Sequence, residues 1–375
     1  MRRLLTIGHS YVIAGNRRLA HEMAVQGRGR WEVTAAAPAQ LAADLRAVTL
    51  EPIDGEACAL EPLRVRFGRD PHLRWYERRI RSLMRGPWDV VHVWEEPYVA
   101  ACAQIAAAAP RGARVVPATF QNLVKRYPFP FSYFEKRVMQ RASGWIAFGQ
   151  TVHETQQPKA IYAARPSRII SPGVDEQVFK VDVLARRSLR SKLGWDDTVP
   201  IVGYLGRFVP EKGLTTLMRA LESVRQPWRA LFVGGGPMQA ELAVFAAAHA
   251  GRVHVATGVT HDGVPAHLNA MDVLCAPSET TARWREQFGR MLIEAMACGV
   301  PVAASLSGEI PHVVGDAGAL LPEGEPAAWT RALDDLLGAP ERRRELASRG
   351  LTRVHEQFAL PVAARAHLAF FEELL

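Results

Sequence analysis

The feature that most constrains this chain is an alternation, kept over most of its 375 residues, of short apolar runs with helical stretches. In the first half the runs cover residues 4–8, 31–35, 90–94, 115–119, 144–148 and 169–171; in the second they cover 201–205, 230–233, 253–257, 273–276 and 302–304. Runs this short and this apolar suit strands buried on both faces, and the helices between them supply crossovers, so the pattern predicts parallel sheets in an α/β architecture. It lapses between 172 and 199, where Ser171-Pro172-Gly173-Val174-Asp175 makes a turn and a basic helical segment spans 183–193. The domain boundary is expected near 173–178. Two successive sheets of one kind, each with its ligand crevice at the carboxyl ends of the strands, imply a cleft between domains.

Composition narrows the class. Hydrophobic residues make up 48% and charged residues 22%, a globular balance, and 29 Gly and 25 Pro are scattered without period, which excludes collagen-like repetition. No run of about 18 uncharged apolar residues exists, so no membrane span is expected. The opening, Met1-Arg2-Arg3-Leu4-Leu5-Thr6-Ile7-Gly8-His9-Ser10, reads as a first buried strand and not as a signal peptide. Cys58, Cys102, Cys275 and Cys298 lie far apart with no C-x-x-C pair, which indicates neither a zinc cluster nor a disulfide framework and points to a reducing, cytoplasmic setting. The net charge of +8 is uneven: residues 1–180 hold 26 Lys and Arg against 16 Asp and Glu, a net +10, and the remainder is near neutral. Basic residues mixed with aromatics at 74–85 and 125–137 could meet an anionic membrane surface, a phosphorylated substrate or nucleic acid, or form a solvated helix face.

Three motifs in the second half carry chemistry. In Gly206-Arg207-Phe208-Val209-Pro210-Glu211-Lys212-Gly213 a strand ends and a helix begins; a cation there is disfavoured by the helix dipole unless an anion is also present. Arg207 and Lys212 therefore either hold a phosphate or pair with Glu211 or another carboxylate. Gly234-Gly235-Gly236-Pro237 is a glycine turn that lets the backbone approach a ligand, or a plain tight turn, with Pro237 at the expected first helical position. It is not a dinucleotide fingerprint, since the third glycine position is Gln239. The most specific is Glu286-Gln287-Phe288-Gly289-Arg290-Met291-Leu292-Ile293-Glu294-Ala295-Met296-Ala297-Cys298-Gly299. Gly289 opens a helix whose free N–H groups form an anion site. Glu294 sits in an otherwise apolar helix and needs partners, either ribose hydroxyls or a neighbouring Arg.

The Glu286/Glu294 E-x7-E pair, with G-R-F-V-P-E-K-G at 206–213 and G-G-G-P at 234–237, resembles the retaining nucleotide-sugar glycosyltransferases of family 4. The likeness runs through almost the whole chain, strongest over 200–320. It implies the GT-B fold, two Rossmann-like doubly wound parallel-sheet domains facing across a cleft. The acceptor domain would comprise 1–173 with 358–375, and the donor domain 174–357. Carried over, it implies that Arg207 and Lys212 hold and neutralise the departing diphosphate, Glu286 binds donor sugar hydroxyls and Glu294 the ribose. The amides of Phe288, Gly289 and Arg290 would complete the phosphate cradle, with Gly236 and Gly258 beside the nucleotide.

The family's first-domain histidine is replaced by Thr119-Phe120-Gln121-Asn122, and the glycine loop after the first strand is reduced to Gly8-His9-Ser10 and Gly15. His9, Ser10, Gln121, Asn122, Lys125 and Arg126 are the acceptor-side candidates, with His92 and His153 further histidines to place. The chain has no D-x-D motif, so no metal and no other cofactor is expected, and fixed cations and helix amides would stabilise the leaving group. The function implied is transfer of a sugar from a nucleotide-diphosphate sugar to a saccharide or lipid-linked acceptor, as in bacterial cell-surface polysaccharide or glycoconjugate synthesis. The enzyme would be cytoplasmic, peripheral on an anionic membrane, with no nucleic acid as partner. Alternatives are an epimerase or sugar phosphorylase on the same fold, or a non-catalytic nucleotide- or nucleic-acid-binding protein.

Overall fold

The computed structural model describes residues 1–42 and 47–375. The chain divides into two compact units, Met1–Gly173 with Leu360–Leu375, and Val174–Ala359.

The first unit is built on a seven-stranded parallel sheet whose strands in chain order are β1 (Arg2–Ile7), β2 (Trp31–Pro38), β3 (Ala59–Leu63), β4 (Val90–Val93), β5 (Arg114–Thr119), β6 (Trp145–Ala147) and β7 (Ser167–Ile169). Their order across the sheet is β7-β6-β5-β4-β1-β2-β3. Both faces are covered, and the period of two decides which residue goes where. Leu4, Val33 and Ala35 join a cluster on one face while Leu5, Ile7 and Ala36 join a cluster on the other. The C-terminal helix, Leu360–Leu374, places Leu360, Ala364, Leu368 and Phe371 in the first of these clusters, beside Leu19 and Met23 of the Ala14–Gln26 helix. Short antiparallel pairs, Gln40–Ala42 with Ala47–Thr49 and Val65–Arg66 with Trp75–Tyr76, decorate the edge.

The second unit repeats the plan with six parallel strands: β8 (Ile201–Arg207), β9 (Arg229–Gly235), β10 (Val253–Thr257), β11 (Val273–Ala276), β12 (Val302–Ser305) and β13 (Gly318–Leu321), ordered β10-β9-β8-β11-β12-β13. Alternation again sorts the core: Leu231, Val233, Leu274 and Ala304 face one side, and Ala230, Phe232, Val273 and Ala303 the other. Two strands of the main sheets were not foreseen, β3 and β13, nor were the four short strands of the antiparallel pairs, and the strand expected at 169–171 sits two residues earlier as β7. All four cysteines are buried and free. No helix among the described residues is long and apolar enough to cross a membrane.

Candidate functional site

In the second unit the motif residues converge at the carboxyl ends of β8, β11 and the segment after β12. Beyond Arg207 the chain makes one tight turn, Pro210–Lys212, and passes through Gly213 into the helix Leu214–Ser223. Gly213 has φ +68°, and a Cβ there would stand 1.8 Å from the Pro277 carbonyl oxygen, so only glycine lets this loop close on the end of β11. The closure delivers Lys212 to Glu286: Nζ donates to Oε2 at 2.5 Å, and Ser278 Oγ donates to the same oxygen at 2.9 Å. The Lys212 ammonium also lies 4.9 Å from the centre of the Trp284 ring. Both partners are largely buried, with side-chain exposures of 12% and 7%. From the other side, the Glu309 amide donates to the Glu286 carbonyl at 3.1 Å, and Gly308 (φ +53°) passes so close that a Cβ would lie 2.0 Å from that carbonyl oxygen.

Of the two partners the sequence left open for Lys212 on the protein side, Glu211 and another carboxylate, the structure selects the second. Lys212 and Glu286, expected to serve different parts of a ligand, form one neutral ion pair. The exposed cation on the loop is then Arg207, whose carbonyl accepts from the Tyr204 hydroxyl at 2.7 Å. Burial and the Glu286 charge push the Tyr204 phenol far above its ordinary range, with Arg207 opposing, so this hydroxyl stays a donor.

Gly289, at φ +81°, caps the helix Arg290–Ala297. Phe288 before it is buried with its ring edge-on to Phe358, which leaves its backbone as the part able to face a ligand. Glu294 is 8% exposed and stands 3.7 Å from the exposed Arg290 guanidinium one turn back. Burial raises its carboxyl above the usual range, and Arg290 and His261 pull in the other direction. His261 belongs to the loop that Gly258 (φ +70°) opens, which brings that loop's charge to bear on Glu294. Gly236 is exposed, its backbone against Phe208; the helix after it begins at Gln239, two residues beyond the expected Pro237, because the Met238 amide donates to the Phe208 carbonyl.

In the first unit His9 is half exposed and follows β1; Ser10 Oγ is buried without a hydrogen-bond partner. Asn122 is buried, with 1% of its surface exposed. Gln121 is also buried, and its amide is spent on its own loop: Nε2 donates to the Tyr127 hydroxyl at 2.6 Å and Oε1 accepts from the Leu123 amide. Lys125 and Arg126 are exposed. His92 is a core residue bonded to Thr6 Oγ1 at 2.9 Å, and His153 stacks on Trp145 and meets Ser167. The sequence reading missed Ser278, Tyr204, Glu95 and Glu96; the last two follow the apolar run at 90–94 directly, and adjacent carboxylates at a strand's carboxyl end were the available signal.

Residues 185–353 match the family model described as Glycosyl transferases group 1. Over 182 residues, 46% of this chain and 47% of the relative, the chain is 38% identical to the GDP-mannose-dependent alpha-(1-6)-phosphatidylinositol monomannoside mannosyltransferase of Mycolicibacterium smegmatis. It is 32% identical over 253 residues, 64% of this chain and 59% of the relative, to the D-inositol 3-phosphate glycosyltransferase of Xylanimonas cellulosilytica. The chain spans about half the length of the curated relatives it matches. Among solved structures it superposes on sucrose-phosphate synthase from Thermosynechococcus elongatus with a TM-score of 0.74 at 20% identity, covering 100% of this chain and 99% of the other. HepE from Anabaena in complex with UDP gives a TM-score of 0.73 at 20% identity, covering 100% of both. This chain therefore has the GT-B fold, and its residues 185–353 are similar to the group 1 glycosyl transferases.

Proposed function

We propose that this protein is a retaining, metal-independent glycosyltransferase of family 4, which moves a sugar from a nucleoside-diphosphate donor bound by the second unit to a hydroxyl acceptor bound by the first. The observation that carries the reading is the convergence of Lys212, Glu286 and the Gly289 helix tip at the carboxyl end of one sheet, with Glu294 buried one turn inside that helix. Arg207, Lys212 and the amides of Phe288, Gly289 and Arg290 take the diphosphate. Glu286 orients the sugar, and Glu294 accepts from the ribose hydroxyls. Fixed donors aimed where charge develops do the catalytic work at the leaving group. The named relatives argue for a polar, phosphate-bearing acceptor such as an inositol phosphate or its lipid.

An anionic membrane surface is the second expected partner. A groove of about 810 Å³ in the first unit is lined by Arg64, Arg66, Arg78, Arg79 and Arg81, with the exposed Trp75 at its edge. Of these, Arg66 and Arg79 pair with Glu77 and Glu61, so the groove keeps a net positive charge.

The donor reading is tested by thermal shift with UDP, GDP, ADP and CDP. One nucleotide at 100 times its dissociation constant adds about 2.7 kcal/mol of stability. No shift with any of the four removes the donor assignment. Product analysis then separates transfer from donor epimerisation and from phosphate-dependent cleavage.

A further inference from the structure

Residues 279–285 join Ser278 to Glu286 without forming helix or strand, yet they are tied down along their length. The Glu279 amide donates to the Glu211 carbonyl at 2.9 Å, and Thr216 Oγ1 donates to Glu279 Oε1 at 2.5 Å, which fastens the segment to the loop and helix that follow β8. Glu323 takes the next residue through both oxygens, Oε1 accepting from Thr280 Oγ1 at 2.8 Å and Oε2 from the Thr280 amide at 2.5 Å. Thr281 then closes a turn on the backbone of Trp284: its amide donates to the Trp284 carbonyl at 2.7 Å, and its Oγ1 accepts from the Trp284 amide at 3.0 Å. The place of residue 284 is therefore set by main-chain bonds that any side chain would keep.

Those bonds bring the half-buried Trp284 ring to the Lys212 ammonium, its centre 4.9 Å from Nζ. An ammonium carries three N–H donors. Among the described residues Lys212 gives one hydrogen bond, to Glu286 Oε2. The ring decides what becomes of the others. It keeps water off a side chain that is 12% exposed, and its negative face compensates the positive charge without accepting a directed hydrogen bond. A carboxylate or amide at 284 would take up a second N–H, and a small residue would let water do so. Beside an indole the ammonium is attracted but not saturated. That difference matters to an anion. Glu286 opposes the field of Lys212, and breaking the pair would strand a carboxylate that is 5% exposed. A phosphate oxygen that takes a spare N–H avoids that cost, because the pair stays intact.

We propose that Trp284 is a positioning residue for the donor's diphosphate: its indole face holds the Lys212 ammonium dry and short of partners, so that a phosphate oxygen adds to it without displacing Glu286. This role presupposes the donor reading given above and involves the second unit alone.

The full chain is titrated with whichever of UDP, GDP, ADP and CDP stabilises the wild type most. Trp284→Leu, which keeps apolar bulk without a π face, is expected to weaken binding about tenfold, the worth of a desolvated cation–π contact. Trp284→Phe keeps a face and should lose less. Site-specific incorporation at position 284 of tryptophan bearing one, two and then three ring fluorines, which withdraw π density with little change of shape, should weaken binding step by step. That series reads the charge on the ring face, to which a purely structural residue is indifferent, and it decides the matter if the leucine variant folds poorly. Binding by Trp284→Leu within about twofold of wild type, a phenylalanine variant no better than the leucine one, or a fluorinated series without a trend overturns the proposal and leaves the donor reading intact. A wild-type chain stabilised by none of the four nucleotides overturns the donor reading, and this role with it.

Discussion

The Lys212–Glu286 pair shows how much a single contact asks of the residues around it. Each charge is removed from water, and each is compensated chiefly by the other, with Ser278 and the Trp284 face as support. Breaking such a pair on one side leaves an uncompensated buried charge, at a cost of about 3–5 kcal/mol. Lys212→Met is therefore expected to lose both stability and turnover, measured by urea unfolding and by donor turnover, whereas the double variant Lys212→Met with Glu286→Gln should recover most of the stability and none of the activity. Glu96 is a residue-scale case of the opposite sign. Burial lifts its carboxyl from the ordinary 4.5 to about 7, against hydrogen bonds from the Phe120 amide at 2.7 Å and Thr119 Oγ1 at 2.7 Å. An acid whose folded pKa is raised adds stability that is fully present below its unfolded value and is lost as pH climbs through the folded one. Glu96→Gln should thus leave stability near pH 4 almost unchanged and raise it at pH 8, by at most about 3 kcal/mol. A pH series of unfolding midpoints checks both ends.

Among elements, the loops that end strands matter more than the strands. The β8 loop reaches its partner only because Gly213 tolerates both a positive φ and a carbonyl at van der Waals contact. Gly213→Ala is expected to push the loop off Pro277, separate Lys212 from Glu286 and cost about 2 kcal/mol or more in stability, with reduced nucleotide affinity in the same thermal-shift assay. Interior strands were readable because burial on both faces demands continuous apolar residues. The two strands of the main sheets that escaped notice are edge strands: β3 reads Ala-Leu-Glu-Pro-Leu, with a proline that only an edge tolerates, and β13 reads Gly-Ala-Leu-Leu and is partly exposed throughout. The glycine at 289 and the helix after it were legible for the same reason the motif is specific: a left-handed cap followed by an apolar helix with one carboxylate leaves few other arrangements. The burial of Asn122 was not, since nothing in a Gln-Asn dipeptide reports how deeply the fold sets each side chain.

For the molecule as a whole, the +10 net charge of residues 1–180 against a near-neutral remainder gives the two units different electrostatic characters. Vesicles containing anionic lipid are expected to bind the protein at low salt and release it as ionic strength rises, while neutral vesicles bind little; a co-sedimentation series read against salt measures this. Substituting Arg64, Arg78 and Arg81 by Gln should weaken that binding without changing nucleotide-induced stabilisation. By itself the sequence determined what local chemistry can encode: the strand and crossover rhythm, the residue that faces each side of a sheet, the glycines at turns, and the residue types of the donor motifs. Only the tertiary structure decided which of those groups meet, because such contacts join residues separated along the chain. Lys212 finds Glu286 across 74 positions, His9 finds Glu95 across 86, and the helix Leu360–Leu374 returns to the core of the unit that begins at Met1. Closing contacts of that range costs chain entropy that no local pattern reports, and their choice is made by burial, which forces each desolvated charge onto the partner that the fold brings to it.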